Sequence, residues 1–173
     1  MKNILYCSLC MLMAACTSPN SKAGPDSNLK QSHSPTVTHK TKLTNFAVIP
    51  SIDPDPISDA ELDQVADLLQ LCVTEYNVKA ERDFRAKSDL PYPNGHLSIF
   101  LAEYRKQLVV SVNSKGVKTV WVNCFCESVY EDYPNWKKEI NPLDVNGGGL
   151  CYFNVRLNLT EGTWGKLDIN SII

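Results

Sequence analysis

The stretch Val117-Lys-Thr-Val-Trp-Val-Asn-Cys-Phe-Cys126 alternates along its length, and it restricts the possible folds more than any other part of the chain. Successive side chains of a strand point to opposite faces. Val120, Val122, Cys124 and Cys126 therefore share one face, and Thr119, Trp121, Asn123 and Phe125 share the other. The first set suits a dry core. The second places two aromatics beside an amide, a composition foreign to a plainly solvated surface. Everything after residue 50 reads as a supply of neighbours for this strand.

Those neighbours are legible on both sides. Leu150 to Thr160 has the cleanest alternation, with Cys151, Phe153, Val155, Leu157 and Leu159 on one face and Tyr152, Asn154, Arg156 and Asn158 on the other. Gln107 to Asn113 is β-branched and strand-like. Asn113-Ser-Lys-Gly116 then supplies a hairpin loop with glycine available for positive φ. Leu97, Ile99 and Leu101 alternate with Ser98, Phe100 and Ala102, which predicts a further extended segment. Thr160-Glu-Gly162 turns the chain towards a last strand within Trp164 to Ile169, and Phe46 to Ile49 offers a short edge strand closed by Pro50. Residues 127–146 form an irregular excursion containing Tyr130, Tyr133 and Trp136.

One helix is clearly punctuated. Ser58 and Glu61 have capping-box spacing, and Ile57 with Leu62 occupies the positions of a hydrophobic staple. Leu62, Val65, Ala66, Leu69, Cys72, Val73 and Tyr76 recur at helical spacing, predicting a helix over 59–77 with one apolar stripe. The charged segment 79–87 reads as a frayed extension or a loop. Asp53, Asp55, Asp59 and Glu61 lack the glycine and terminal acid of a calcium loop, so they read as a solvated acidic helix entry. Gly147-Gly-Gly149 lacks the spacing of a phosphate-binding loop. No cofactor and no metal is expected.

These elements predict an α+β domain over residues 43–173, with the helix laid across one face of a four- to five-stranded antiparallel sheet. The order resembles cystatin-like folds, an architectural likeness that carries no function. A small β-sandwich or barrel with a covering helix is the alternative.

The amino-terminal residues point to a compartment. A lysine at position 2, an apolar run from Ile4 to Met13 and the small pair Ala14-Ala15 have the form of a secretory signal peptide over 1–15. The run is well short of the roughly 20 residues that span a bilayer. Leu12-Met13-Ala14-Ala15-Cys16 resembles the lipobox of bacterial lipoproteins. That resemblance implies cleavage before Cys16, acylation of its thiol and a membrane anchor. Thr17 in place of an acidic residue implies the outer membrane. Residues 16–42 are rich in Ser, Thr, Pro, Asn and Lys and read as a disordered tether, with His33 and His39 solvated within it. From Tyr104 onward the chain is also similar to a group of uncharacterised bacterial lipoproteins. This likeness rests on Tyr104-Arg105-Lys106-Gln107, Trp121 to Cys126, Gly148-Gly149 and Asn158-Leu-Thr160, and it implies no activity.

Once Cys7 and Cys10 leave with the signal peptide and Cys16 is acylated, Cys72, Cys124, Cys126 and Cys151 remain. In an exported chain they are candidates for disulfides, against the alternative of four buried thiols. Cys124 and Cys126 lie two apart on one strand and reach each other poorly. Cys151 with either of them is the better pairing, leaving Cys72 to meet the other.

A formal charge of −2 gives no basic footprint for nucleic acid. His96 is the histidine outside the tether, without a nucleophile context, and the pair Glu127/Glu131 suits acid–base work no better than a solvated loop. The sequence therefore points to a non-catalytic module that binds a protein or peptide, including an inhibitor or immunity-type role. An envelope hydrolase and a purely structural lipoprotein are the alternatives. The candidate contact residues are Trp121, Asn123, Phe125, Tyr152, Asn154 and Arg156, because aromatics, amides and Arg on one face favour recognition. The competing expectation is that segment 127–146 folds over this face as a second core.

Overall fold

Ser58 Oγ accepts from the Glu61 N–H at 3.3 Å, while Glu61 Oε2 accepts from the Ser58 N–H at 2.8 Å. This reciprocal cap starts α1, Asp59–Arg85, in the computed structural model, which describes residues 42–51, 55–128, 133–140 and 147–170. The expectations for the leader, Cys16 and the tether up to residue 41 lie outside the described residues, as do Asp53, Tyr130 and Glu131. Helix α1 continues past Asn77 through the charged segment. Glu81 with Arg85, at 2.6 Å, and Lys79 with Asp83 form pairs one helical turn apart. Each such pair adds about 0.3–0.5 kcal/mol to a helix. Mixed sign here supports the helix. The buried stripe is Leu62, Val65, Leu68, Leu69, Cys72 and Val73, so Leu68 joins it, while Ala66 and Tyr76 are only partly buried.

Residues 97–101 are not a strand. The chain makes a short helix α2, Asn94–Leu97, and then a 3-10 turn, Leu101–Glu103. Between them, Asn77 Nδ2 donates to Ile99 O at 2.9 Å and Asn77 Oδ1 accepts from Ile99 N–H at 2.8 Å. The side-chain amide thus takes the place of a neighbouring strand and fixes Ile99, which is buried, against α1. Alternation there reflects Ile99 in the core and Leu101 packed against it, without a strand.

The sheet consists of β1 (Phe46–Val48), β2 (Tyr104–Val112), β3 (Lys118–Cys126), β4 (Tyr152–Asn158), β5 (Thr163–Trp164) and β6 (Asp168–Ile169). Its order is β1-β2-β3-β4-β5, and β6 also pairs with β4. β1 is parallel to β2 and the other pairs are antiparallel. The fold is α+β: one long helix against an open, mostly antiparallel sheet of six strands, not four or five. The hairpin between β2 and β3 turns at Asn113–Gly116, where Asn113 Oδ1 accepts from the N–H groups of Lys115 and Val117 and Gly116 takes φ +76°.

Register divides the three central strands into rows. Facing α1 lie Lys106–Cys124–Phe153, Leu108–Val122–Val155 and Val110–Val120–Leu157. On the opposite face lie Arg105–Phe125–Tyr152, Gln107–Asn123–Asn154, Val109–Trp121–Arg156 and Ser111–Thr119–Asn158. Both faces carry a buried cluster. Leu69, Val65, Leu108, Val122 and Phe153 form the centre of the first. Ala47, Ile49, Phe125, Trp136 and Tyr152 form the second.

Cys126, at the end of β3, and Cys151, just before β4, continue the register and form a disulfide with a Cα–Cα distance of 4.8 Å. Cys72 and Cys124 remain buried thiols, so the second bridge left open by the sequence is not made. The disulfide ties the two ends of the 127–150 excursion together. Closing a loop of 25 residues stabilises a fold by about 3–4 kcal/mol on chain-entropy grounds. The double change Cys126→Ala with Cys151→Ala should lower the unfolding free energy in urea by roughly this amount. An unchanged midpoint would show that the excursion is held without the bridge.

Candidate partner-binding face

The outer face of the sheet is divided by the excursion. Residues 133–140 cross the end of the sheet carrying the Phe125 row, and Trp136 and Tyr133 meet the Phe125 ring edge-on at centroid distances of 6.0 and 5.9 Å. Phe125, Asn123 and Tyr152 are buried. These three sequence candidates are therefore not available as free contact surface. Phe125 and Tyr152 belong to a second core and Asn123 is buried beside it, as the covering alternative anticipated.

Gln107 holds the cover in place. Its Nε2 donates to Trp136 O at 2.5 Å and to Glu139 O at 2.6 Å, and its Oε1 accepts from Asn123 Nδ2 at 3.0 Å. A segment without regular pairing has buried carbonyls that need donors, and Gln107 supplies two. Arg105 lies over the Trp136 ring at 5.0 Å and pairs with Glu127 at 3.0 Å, while Lys137 sits 5.5 Å from the same ring. Glu127 is thus part of an exposed ion pair, and His96 is an exposed side chain in α2.

The motifs behind the carboxy-terminal resemblance have structural tasks. Tyr104 Oη donates to Leu150 O at 2.9 Å. Lys106 is buried, and its Nζ donates to Thr44 O, Leu101 O and Tyr104 O at 3.2, 2.8 and 2.8 Å. Gly148 takes φ +84°, and a Cβ there would lie 2.6 Å from the Tyr152 ring. Thr160 Oγ1 accepts from the Lys118 N–H, and Asn158 Oδ1 from the Glu161 N–H. Together these groups position the excursion and close the turns around β3 and β4.

The open part of the face has a different character. Trp121 is half-buried, and its indole Nε1–H donates to Asn154 Oδ1 at 3.0 Å. Across β3 it stands between Val109 and Arg156. Arg156 is exposed, and among the described residues its guanidinium has no ion pair or hydrogen bond. Ser111 and Thr119 extend the row below through a 3.0 Å hydroxyl contact. Val109 and Ser111 join the face without having been singled out from the sequence, and Thr119, placed on this face by the alternation of β3, joins the candidate contact residues. The alternation of β2 was the signal that could have placed Val109 and Ser111 there.

Burial pushes the Cys72 thiol up to about 11 and the Cys124 thiol up to about 12, so both stay protonated at neutral pH. Among the described residues no three His, Cys, Asp or Glu side chains gather as metal ligands. The chain matches no protein-family model, no curated protein and no solved structure.

Two measurements probe this layer. Gln107→Ala leaves two inward carbonyls without their donor, so it should cost about 2–4 kcal/mol and raise acrylamide quenching of Trp136. Unchanged stability and quenching would assign the cover to aromatic packing alone. Burial also lowers the Lys106 ammonium from its ordinary value of 10.5. A lysine depressed in the folded state carries its full penalty while charged in both states, and loses it as pH rises from the folded value towards the unfolded one. Wild type should therefore gain stability relative to Lys106→Met as pH rises towards the ordinary lysine value of 10.5, and the difference should level off above it. A difference independent of pH would show that the three carbonyls offset burial completely.

Proposed function

We propose that this chain is a lipid-anchored lipoprotein of the bacterial cell envelope, carried at the outer membrane through Cys16. In this reading its domain is a non-catalytic module that binds a protein or peptide. The contact surface is the open part of the outer face: Trp121, Asn154 and Arg156, flanked by Val109 and Thr119. The observation that carries the reading is the pairing of a partly exposed indole, oriented by Asn154, with an adjacent Arg156 that has no intramolecular partner among the described residues. Trp and Arg side by side are the residue types that dominate binding hot spots. A free guanidinium favours a partner presenting a carboxylate to it. An inhibitor or immunity-type role is one version of this function.

The Cys126–Cys151 bridge supports an oxidising compartment, as export to the envelope requires. Protonated core thiols and an isolated His96 lend no support to thiolate or histidine-based hydrolysis.

The test is affinity capture with the tagged full-length chain in its own envelope, compared with a Trp121→Ala/Arg156→Ala version. Arg156 is exposed but Trp121 is half-buried, so the double variant should cost about 1–3 kcal/mol, and an unfolding curve confirms that the bait is still folded. A partner recovered by the wild type and reduced at least tenfold with the variant would support the reading. Equal recovery, or none with either bait, would refute this face as the contact surface.

A further inference from the structure

β4 has its outer edge covered in two pieces. β5 pairs with Leu157 and Asn158, and β6 pairs with Phe153 and Asn154. Between them Gly165-Lys166-Leu167 leaves the ladder, tied by the Gly165 N–H to Arg156 O at 2.9 Å. α1 passes opposite this gap with Cys72, Glu75, Tyr76 and Lys79 towards it, and an open cavity of about 520 Å³ lies between the two sides. That volume falls within the range of small-molecule sites.

The cavity has an apolar interior and a charged rim. Tyr76, Trp164 and Leu167 are partly buried around it, and the Cys72 thiol at its buried end is uncharged. The Trp164 indole is fixed because Nε1–H donates to Glu75 Oε2 at 3.2 Å, which also engages the acid of the rim. The other rim charges are ammonium groups, Lys79 and Lys166. Their side chains are 64% and 86% exposed, and each pairs with an aspartate, Asp83 or Asp168, that does not line the cavity. Exposed pairs of this kind are worth only about 0–1 kcal/mol, so either ammonium can turn to a ligand at little cost. A cation entering here would meet two ammoniums and a carboxylate already held by an indole.

We propose that this cavity binds a small amphipathic acid, with its apolar body against Tyr76, Trp164 and Leu167 and its anionic head at Lys79 and Lys166. The site is separate from the Trp121 face and does not rest on the partner-binding reading. Trp164 lies opposite Leu157 in the row facing α1, whereas Trp121 lies opposite Arg156 on the other side of the sheet.

The test is a titration of the ¹⁵N-labelled full-length chain with decanoate, following the indole N–H signals of its three tryptophans. Trp164→Phe assigns the signal of interest. Saturable movement of the Trp164 signal is expected, with those of Trp121 and Trp136 unmoved. Lys79→Ala/Lys166→Ala should weaken binding about tenfold while leaving the Trp121 and Trp136 signals in place, and decylammonium should bind at least tenfold more weakly than decanoate. A Trp164 signal unmoved by decanoate would overturn the proposal. So would equal or tighter binding of decylammonium, or a double variant that binds as wild type.

Discussion

A strand with neighbours on both sides has to satisfy two faces at once, and β3 does so with different chemistry on each. Towards α1 it presents Val120, Val122 and Cys124, which meet β-branched and leucine side chains from β2, β4 and the helix. Burial of each such side chain contributes roughly 1.5–3 kcal/mol, so this layer supplies most of the driving force. The outer face presents Thr119, Trp121, Asn123 and Phe125, and among the described residues no second helix covers it. Every later feature of the domain follows from how that outer face is covered and how much of it remains open.

The cover is held by side chains performing the work that strands usually do for one another. Segment 133–140 makes no ladder with the sheet, so the donors that its inward carbonyls require come from Gln107. Asn77 does the same for Ile99, and Lys106 for three carbonyls near the start of β2. A buried amide or ammonium is costly unless its hydrogen bonds are complete, which is why these positions are high-stakes for folding. Arg105 and Gln107 face the cover, while Tyr104 and Lys106 face the helix side. One strand thereby secures irregular segments on both sides of the sheet.

This division explains what was legible in the sequence. The cap at Ser58, the stripe of α1 and the alternation of β3 and β4 are local, and each is visible within a few residues of itself. The Cys126–Cys151 pairing follows from register, which sequence alone narrowed without settling. The clamp on Ile99 spans 22 residues and the Gln107–Trp136 bond spans 29, and no periodicity announces either. Those two long-range contacts account for the strand wrongly expected at 97–101 and for the burial of Phe125, Asn123 and Tyr152. The site was readable as a face, but its boundary was not, because the boundary is set by where Gln107 anchors the excursion.

Covering only part of the outer face also selects what is left. The row with Phe125 takes the aromatic cover, with Trp136 and Tyr133 packed edge-on against its ring. The next open row has a single large aromatic, Trp121, whose polar edge is already satisfied by Asn154. An indole so held would lose little further freedom to a bound partner, which would reduce the entropic cost of the proposed binding. Alternation along β4 then separates this surface from the cavity at Trp164. Arg156 points to the open face while its neighbour Leu157 meets the core row opposite Trp164. Two surfaces that share one strand can therefore be occupied or altered independently, since a change at one leaves the side chains of the other on the far side of the sheet.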